Sequence, residues 1–362
     1  IVQNPAEADV CVVFTGLSDK DDSEGKDRTH LRLPDEQNAL IEKAAGENSN
    51  VIVVVMNGSA VEMPWLDKVS GVIETYLGGQ GMGSAIAKIL FGDINPSGKL
   101  AETFPVKLND TPCYLNFPGE KEQVEYREGL FVGYRYYDSA DVNPLFPFGY
   151  GLSYTEFDYS DLTLDKAEMS DLDTLTVKVS VKNTGERAGK EIVQLYVRDI
   201  CSVVIRPRKE LKGFEKIYLL PGEQKTVTFT LDKRAFAFYD TAISDWRVES
   251  GAFKILIGSS SADLRASAAV CVNAAAPVKK RYTLDSTLYD IKDEPAAAAL
   301  LQMMAGGTNG GTALGMDMDA VLSSVKIRSL VPMSLMQSGG KEGIGLEQLN
   351  GLINAMSQST SG

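Results

Sequence analysis

Five acids crowd into the eleven residues Ser18-Asp19-Lys20-Asp21-Asp22-Ser23-Glu24-Gly25-Lys26-Asp27-Arg28. Such a run reads most simply as a solvated loop. The alternative takes one carboxyl, Glu24 beside the flexible Gly25, as a proton donor. Cleavage of a glycosidic bond needs a carboxylic acid at the leaving oxygen and a second carboxylate across the bond. Neighbouring acids, and closure against another surface, would both raise the donor's pKa and keep it protonated. His30, the one histidine of the chain, follows at once. It reads as a structural residue or, alternatively, as a substrate contact. A second constellation is Gly78-Gly79-Gln80-Gly81-Met82-Gly83. It resembles a dinucleotide-binding turn, but Gly79, Gly81 and Gly83 are spaced GxGxG rather than GxGxxG, so a tight packing turn is expected. A nicotinamide-dependent enzyme built on this turn would be protected by NAD in a thermal melt.

The elements that must position these residues alternate between strand and helix. Val10-Cys11-Val12-Val13-Phe14 and Val51–Met56 are short apolar runs closed by Gly16 and by Asn57-Gly58. They read as buried strands. Pro34-Asp35-Glu36 opens a helix carrying Ala39, Leu40, Ile41, Ala44 and Ala45, because Pro and acids suit a first turn. Val72–Tyr76 is a third strand, and Gly83–Phe91 a second helix. This order predicts a mostly parallel sheet with flanking helices, whose ligands sit beyond the C-terminal strand ends. The loop after Phe14 occupies that place. Residues 93 to 155, rich in Pro, Gly and aromatics, read as an ordered connector.

From about residue 156 the period changes to two. Leu175, Val177, Val179 and Val181 alternate with polar residues, as do Val227, Phe229 and Leu231, and Phe253, Ile255 and Ile257. Asn183-Thr184-Gly185, Pro221-Gly222 and Ser250-Gly251 punctuate the runs, predicting an antiparallel β-sandwich. The aromatics Phe214, Tyr218, Phe229, Phe236, Phe238 and Tyr239 are expected as its packing. Residues 276 to 362 carry an Ala run at 296–299 and Gly pairs at 306–307 and 310–311, with a terminal helix over Leu346–Met356. They are expected as short helices wrapped on the surface.

Composition narrows the function classes. The chain has 362 residues, enough for two or three domains. With 36 Lys+Arg against 49 Asp+Glu, its net charge of −13 disfavours nucleic acid as a partner. No apolar stretch reaches the roughly 20 residues of a membrane span, so no membrane partner is expected. Cys11, Cys113, Cys201 and Cys271 form no CxxC pair, so no structural zinc is expected and a reducing, cytoplasmic compartment is favoured. The chain shows no signal peptide and does not open on Met, so its true N-terminus is expected to be missing. Homo-oligomerisation is left open.

Four ordered stretches resemble glycoside hydrolase family 3, the β-glucosidase and β-xylosidase family. They are Ser23-Glu24-Gly25-Lys26-Asp27-Arg28 with Leu31-Arg32-Leu33-Pro34, and Leu90–Leu100. The third is Phe131–Asp138 continuing to Phe146–Tyr154. The fourth is Lys182–Gly185 with Gln194–Val197 and Pro207–Phe214. The resemblance runs from about residue 10 to 265. It implies a partial α/β sandwich domain with its aromatic connector over 1–155. A fibronectin type III-like, all-β domain then follows over 156–275 and a short helical C-terminal extension over 276–362. It places Glu24 at the general acid/base and matches Asp27 and Arg28 to the residues beside it. Asp27, Arg28 and His30 are expected as substrate-binding or loop-ordering residues. It implies no metal or organic cofactor. The family's nucleophilic aspartate lies in an N-terminal (β/α)8 barrel of roughly 250 residues. No stretch of this chain corresponds to that barrel, so the nucleophile is expected from polypeptide outside it. Ser244-Asp245-Trp246 imitates the nucleophile motif, an Asp followed by Trp, but in a β-hairpin context, and Asp245 is not expected to serve. The implied activity is retaining hydrolysis of terminal β-D-glucosyl residues. A β-xylosidase of the same family and a non-catalytic sugar-binding or scaffold module are the alternatives.

Overall fold

The computed structural model describes residues 4–241, 243–275, 282–292, 294–298, 322–337 and 343–359. Two compact units result, Ile1–Ala275 and Ala276–Gly362. The first opens with three parallel strands in the order β1 (Cys11–Gly16), β2 (Val51–Met56), β3 (Gly71–Glu74). β2 is central, and Val51, Val53, Val54 and Val55 are fully buried. A strand covered on both faces can be continuously apolar, which explains its run of valines. Helix α1 (Asp35–Glu47) joins β1 to β2 and buries Ile41 and Ala44, with Asp35 and Glu36 complementing its first-turn N–H groups. Trp65 is completely buried and donates its Nε1–H to Asn38 Oδ1 of that helix at 2.9 Å. Helix α2 (Met82–Leu90) is different: only Ile86 is buried, and Leu77 and Phe91 at its two ends are more than four-fifths exposed.

The connector is ordered by aromatic contacts and by bonds into the sandwich. Phe104 meets Tyr76 and Phe146 edge-on, at centroid separations of 6.5 and 6.1 Å. Phe146 stacks on Tyr150, and Tyr134 of helix α3 (Tyr134–Ala140) lies against Phe148 and Tyr196. Lys99 Nζ reaches Glu191 at 3.2 Å, a pair nearly excluded from water. Gln194 donates to the carbonyls of Gly149 and Ser259 at 3.1 and 2.7 Å and accepts from Tyr196 at 2.6 Å. Gly149 has φ +79°, and a Cβ there would lie 2.3 Å from Gln194 Oε1. Gly149→Ala therefore combines left-handed strain with overpacking and should cost about 2–4 kcal/mol, read as a lowered Tm. A melt unchanged within error would contradict this tie between connector and sandwich.

The sandwich has two sheets. One is β4-β6-β9 (Phe157–Leu164, Leu175–Asn183, Gln224–Leu231). The other is β5-β13-β12-β7-β8 (Glu168–Ser170, Leu264–Asn273, Gly251–Gly258, Gly189–Asp199, Glu210–Leu219). Between them lie Val177, Val179, Val181, Leu195, Val227, Phe253, Ile255 and Ile257. The period-two runs thus point their apolar set inward, as alternation requires when one face is solvated. One pairing departs from the antiparallel expectation. The three-residue β5 runs parallel to β13, Met169 opposite Val272, because it closes the open edge beside the final strand. A two-stranded ribbon, β10 (Phe238–Asp240) with β11 (Asp245–Arg247), precedes the last hairpin.

In the second unit, helices α4 (Leu330–Gln337) and α5 (Leu346–Ser359) accompany short turns. The short helices expected here are present, and the described residues of this unit enclose an apolar cluster of their own, including Leu288, Ile291, Ile327, Leu330, Leu349 and Ile353. Leu349, Ile353 and Met356 lie on one face of α5. Ala299 and the Gly pairs at 306–307 and 310–311 lie outside the described residues.

Candidate active site

The acidic loop begins where β1 ends, and its exit is fixed from both sides. A Cβ at Gly16 would lie 2.2 Å from the Met56 carbonyl oxygen, so only glycine fits against β2. Gln37, in the first turn of α1, donates to the Gly16 carbonyl and accepts from the Gly16 N–H, both at 2.9 Å. The Thr15 hydroxyl donates to the same Gln37 oxygen.

The loop then folds on itself. Ser18 donates from its N–H and its hydroxyl to Asp21 Oδ2, at 3.0 and 2.7 Å, while the Asp21 and Asp22 N–H groups bond back to the Ser18 carbonyl. Those bonds hold the Asp21 carboxyl below the usual carboxylate range. Asp21 therefore stays ionised and is a poor proton donor. Asp22 leans on Gly58, where a Cβ would approach Asp22 Oδ2 to 2.9 Å. Lys26 Nζ donates to the Lys20 carbonyl at 2.8 Å.

Ser23 and Lys26 pair across a tight turn, with Gly25 in the left-handed region at φ +75°. Glu24 is at the tip of this turn, exposed, and no described residue hydrogen-bonds to its carboxyl. Asp27 and His30 are exposed beside it. Arg28 is different. Its Nη1 donates to Ser59 Oγ at 2.9 Å and to the Ala60 carbonyl at 3.3 Å, tying the loop to the segment after β2. Its Nη2 is buried with no hydrogen-bond partner. Burial lowers the guanidinium pKa, and the carboxylates Asp22, Asp21, Glu102 and Glu62 oppose that shift. Of the four positions marked in the sequence, then, the fold half-buries Arg28 as an anchor and leaves Glu24, Asp27 and His30 exposed.

Behind Arg28 lies a polar cluster that motif reading missed. Glu102 Oε2 accepts from the Ala60 N–H at 3.4 Å. Glu74, the last residue of β3, accepts from the Tyr76 N–H at 2.9 Å. Asn57 Oδ1, Glu74 Oε2 and Tyr76 Oη are buried without hydrogen-bond partners. Tyr76 also has φ +48°, a strained conformation for a non-glycine residue. The available signal was positional: Asn57 follows β2 and Glu74 ends β3, at the strand ends where parallel sheets gather ligands.

Burial pushes the Glu74 carboxyl up from 4.5 to about 7. It raises Glu102 as well, against the lowering pull of the Ala60 N–H, Tyr76 and Arg28. Folded Glu74 thus holds a proton that the unfolded chain releases. Its stabilising contribution is complete below about pH 4.5 and is lost as pH rises through 7, by up to about 3 kcal/mol. Glu74→Gln should flatten the fall in Tm between pH 5 and pH 8. Parallel melting curves for the two proteins would contradict this.

The remaining motifs do not join the site. Gly79, at φ +65°, lies in the turn before α2, and a Cβ on Gly78 would collide with Met82 at 2.7 Å. This is the geometry of a close packing turn. Asp245 lies on the β10–β11 ribbon, opposite Asp240, where its carboxylate accepts from the Trp246 N–H at 2.7 Å. Among the described residues, no group of three or more His, Cys, Asp and Glu side chains has the arrangement of a metal site, and no helix is long and apolar enough to cross a membrane.

Comparison with known proteins places this geometry in context. Residues 1–154 match the glycosyl hydrolase family 3 C-terminal domain, and residues 191–261 match a fibronectin type III-like domain. Thermostable β-glucosidase B of Acetivibrio thermocellus is 57% identical over 334 residues, which are 91% of this chain and 44% of that protein. The exo-α-(1→6)-L-arabinopyranosidase of Bifidobacterium breve is 39% identical over 94% of this chain and 45% of its own length. Among solved structures, the family 3 β-glucosidase of Bifidobacterium adolescentis superposes with a TM-score of 0.74 at 41% identity. That match covers 82% of this chain and 44% of the other. The β-glucosidase of Kluyveromyces marxianus in complex with glucose gives 0.70 at 41% identity, over 74% and 32%. The chain spans less than half the length of these relatives.

Proposed function

The chain belongs to glycosyl hydrolase family 3, and on that premise we propose that it is the C-terminal part of a retaining β-glucosidase to which it supplies Glu24 as general acid/base. The observation that carries this reading is the turn itself. One carboxyl is held at the tip of a loop whose two ends are pinned, by Gln37 at Gly16 and by Arg28 at Ser59 and Ala60.

The chemistry follows in two steps. A carboxylate of the barrel, on polypeptide beyond these residues, attacks the anomeric carbon. Glu24 gives its proton to the departing glycosidic oxygen, so the aglycone leaves as an alcohol. A water then enters on the same face. Glu24, now ionised, takes its proton as the glycosyl–enzyme ester is cleaved, restoring the acid and releasing the sugar with retained configuration. This geometry requires the two carboxyls about 5–5.5 Å apart. Asp21 cannot replace Glu24 as the donor, because its bonds to Ser18 favour the ionised form. Arg28 acts as a positioning residue through the loop. Asp27 and His30 are the neighbours available to a bound sugar.

The β-glucoside reading is preferred over pentosides because the relative at 57% identity is named a β-glucosidase, and the one named an arabinopyranosidase is at 39%. The test is turnover of matched aryl β-glucoside, β-xyloside and α-L-arabinopyranoside by the assembled enzyme. A kcat/KM ranking led by the glucoside supports the assignment, and a ranking led by either pentoside overturns it.

A further inference from the structure

A cavity of about 240 Å³ lies between α3, the connector and the sandwich, and none of Glu24, Asp27, Arg28 or His30 lines it. We propose that this cavity binds one neutral polyhydroxylated ring, a monosaccharide, at a site separate from the Glu24 turn.

The lining gives the ligand's chemistry. Two acids and two bases face the space, and they are already paired. Lys209 bonds Asp138, and Arg208 grips Asp141 with both nitrogens, at 2.6 and 2.9 Å. The lining carries no net charge, so it offers little field to an ion of either sign. Paired ammonium and guanidinium groups still keep spare donors, and carboxylates keep spare acceptor sites. A hydroxyl, which both donates and accepts, suits such a surface. The Thr103 hydroxyl is the second, independent observation. Thr103 lines the cavity and is 8% exposed, and its Oγ1 is buried without a hydrogen-bond partner. Leaving such a group unserved costs about 1–3 kcal/mol, and a turn of the Thr103 side chain toward a ligand hydroxyl would recover it.

The wall gives the ligand's shape. Tyr134 is fixed because its Oη accepts from the Leu211 N–H at 2.8 Å, and its ring lies 5.1 Å from that of Phe148. An aromatic wall beside hydroxyl-binding groups matches a sugar, which has apolar C–H faces and polar edges. The volume falls below the roughly 300–1,000 Å³ of sites for drug-sized ligands, which limits the occupant to a single ring.

The test titrates the 362-residue chain with D-glucose by calorimetry and by saturation-transfer NMR, with inorganic phosphate as an ionic control. One saturable site per chain is expected, with millimolar affinity. Thr103→Val, which keeps the shape and removes the hydroxyl, should weaken it about tenfold. Ala262→Leu, at the exposed mouth of the cavity, should do so without touching the buried wall. Glu24→Gln should leave it unchanged, which separates this site from the proposed active site. The proposal is overturned by a titration that stays linear to about 100 mM glucose, well above the millimolar range. It is equally overturned by saturable binding that both cavity variants leave intact, that Glu24→Gln abolishes, or that phosphate displaces.

Discussion

Glu24→Ala in the assembled enzyme is expected to lower kcat/KM for alkyl β-glucosides by about 10²–10⁴-fold, the range general acid catalysis supplies. The loss should shrink sharply for dinitrophenyl β-glucoside, whose leaving oxygen departs without a proton. With that substrate the second step becomes limiting, because no base remains to activate water. A small anion such as azide needs no deprotonation, so it should restore turnover and yield a β-configured glycosyl azide. A structural role for Glu24 would not produce this pattern, since a misfolded loop would slow good and poor leaving groups alike. Equal losses across the substrate series, with no response to azide, would remove Glu24 from the mechanism.

Arg28→Ala should produce the second-largest effect, a fall in kcat of about 10–100-fold with KM changed much less. The residue makes the bonds to Ser59 Oγ and to the Ala60 carbonyl that tie the far end of the loop to the sheet. Releasing that end lets the Glu24 carboxyl wander, and a misplacement near 1 Å can cost about 10²-fold. Arg28 is half-buried and is the cation facing Glu102, so its removal also leaves that carboxyl unbalanced and lowers Tm, and the rate is compared per folded molecule. Arg28→Lys, which can keep one of the two bonds, should recover part of the rate. The leaving-group dependence should stay as in the unmodified enzyme, because the acid is still present. A large loss of Tm with unchanged kcat per folded molecule would make Arg28 structural only.

The fold was readable wherever one physical rule governed a whole segment. Val51–Met56 is apolar throughout because both faces of a central parallel strand are covered, and the 175–181 run alternates because one face of the sandwich meets solvent. The exposure of α2 was not readable. It was expected as a flanking helix, and nothing in its residues marks Ile86 as the one position enclosed. The core of the second unit was hidden for another reason: its residues come from separated segments around Leu288, Ile327 and Ile353, each with too little periodicity to read by itself.

The site divides in the same way. Glu24 and its neighbours could be marked as candidates because they share one loop. Glu74, Tyr76 and Glu102 were not, because each is unremarkable in its own segment and the end of the parallel sheet brings them behind Arg28. The cavity pairs are more remote still, with Lys209 meeting Asp138 across 71 positions.

The most direct test of the central claim measures aryl β-glucoside turnover by this chain alone, by the chain combined with the polypeptide carrying the barrel, and by the same combination bearing Glu24→Gln. Negligible turnover is expected from the chain alone, turnover on combination, and its loss for poor leaving groups with Glu24→Gln. Turnover by the isolated chain would contradict the claim that the nucleophile lies outside it, and a Glu24→Gln combination with undiminished rates would contradict the claim that Glu24 moves the proton.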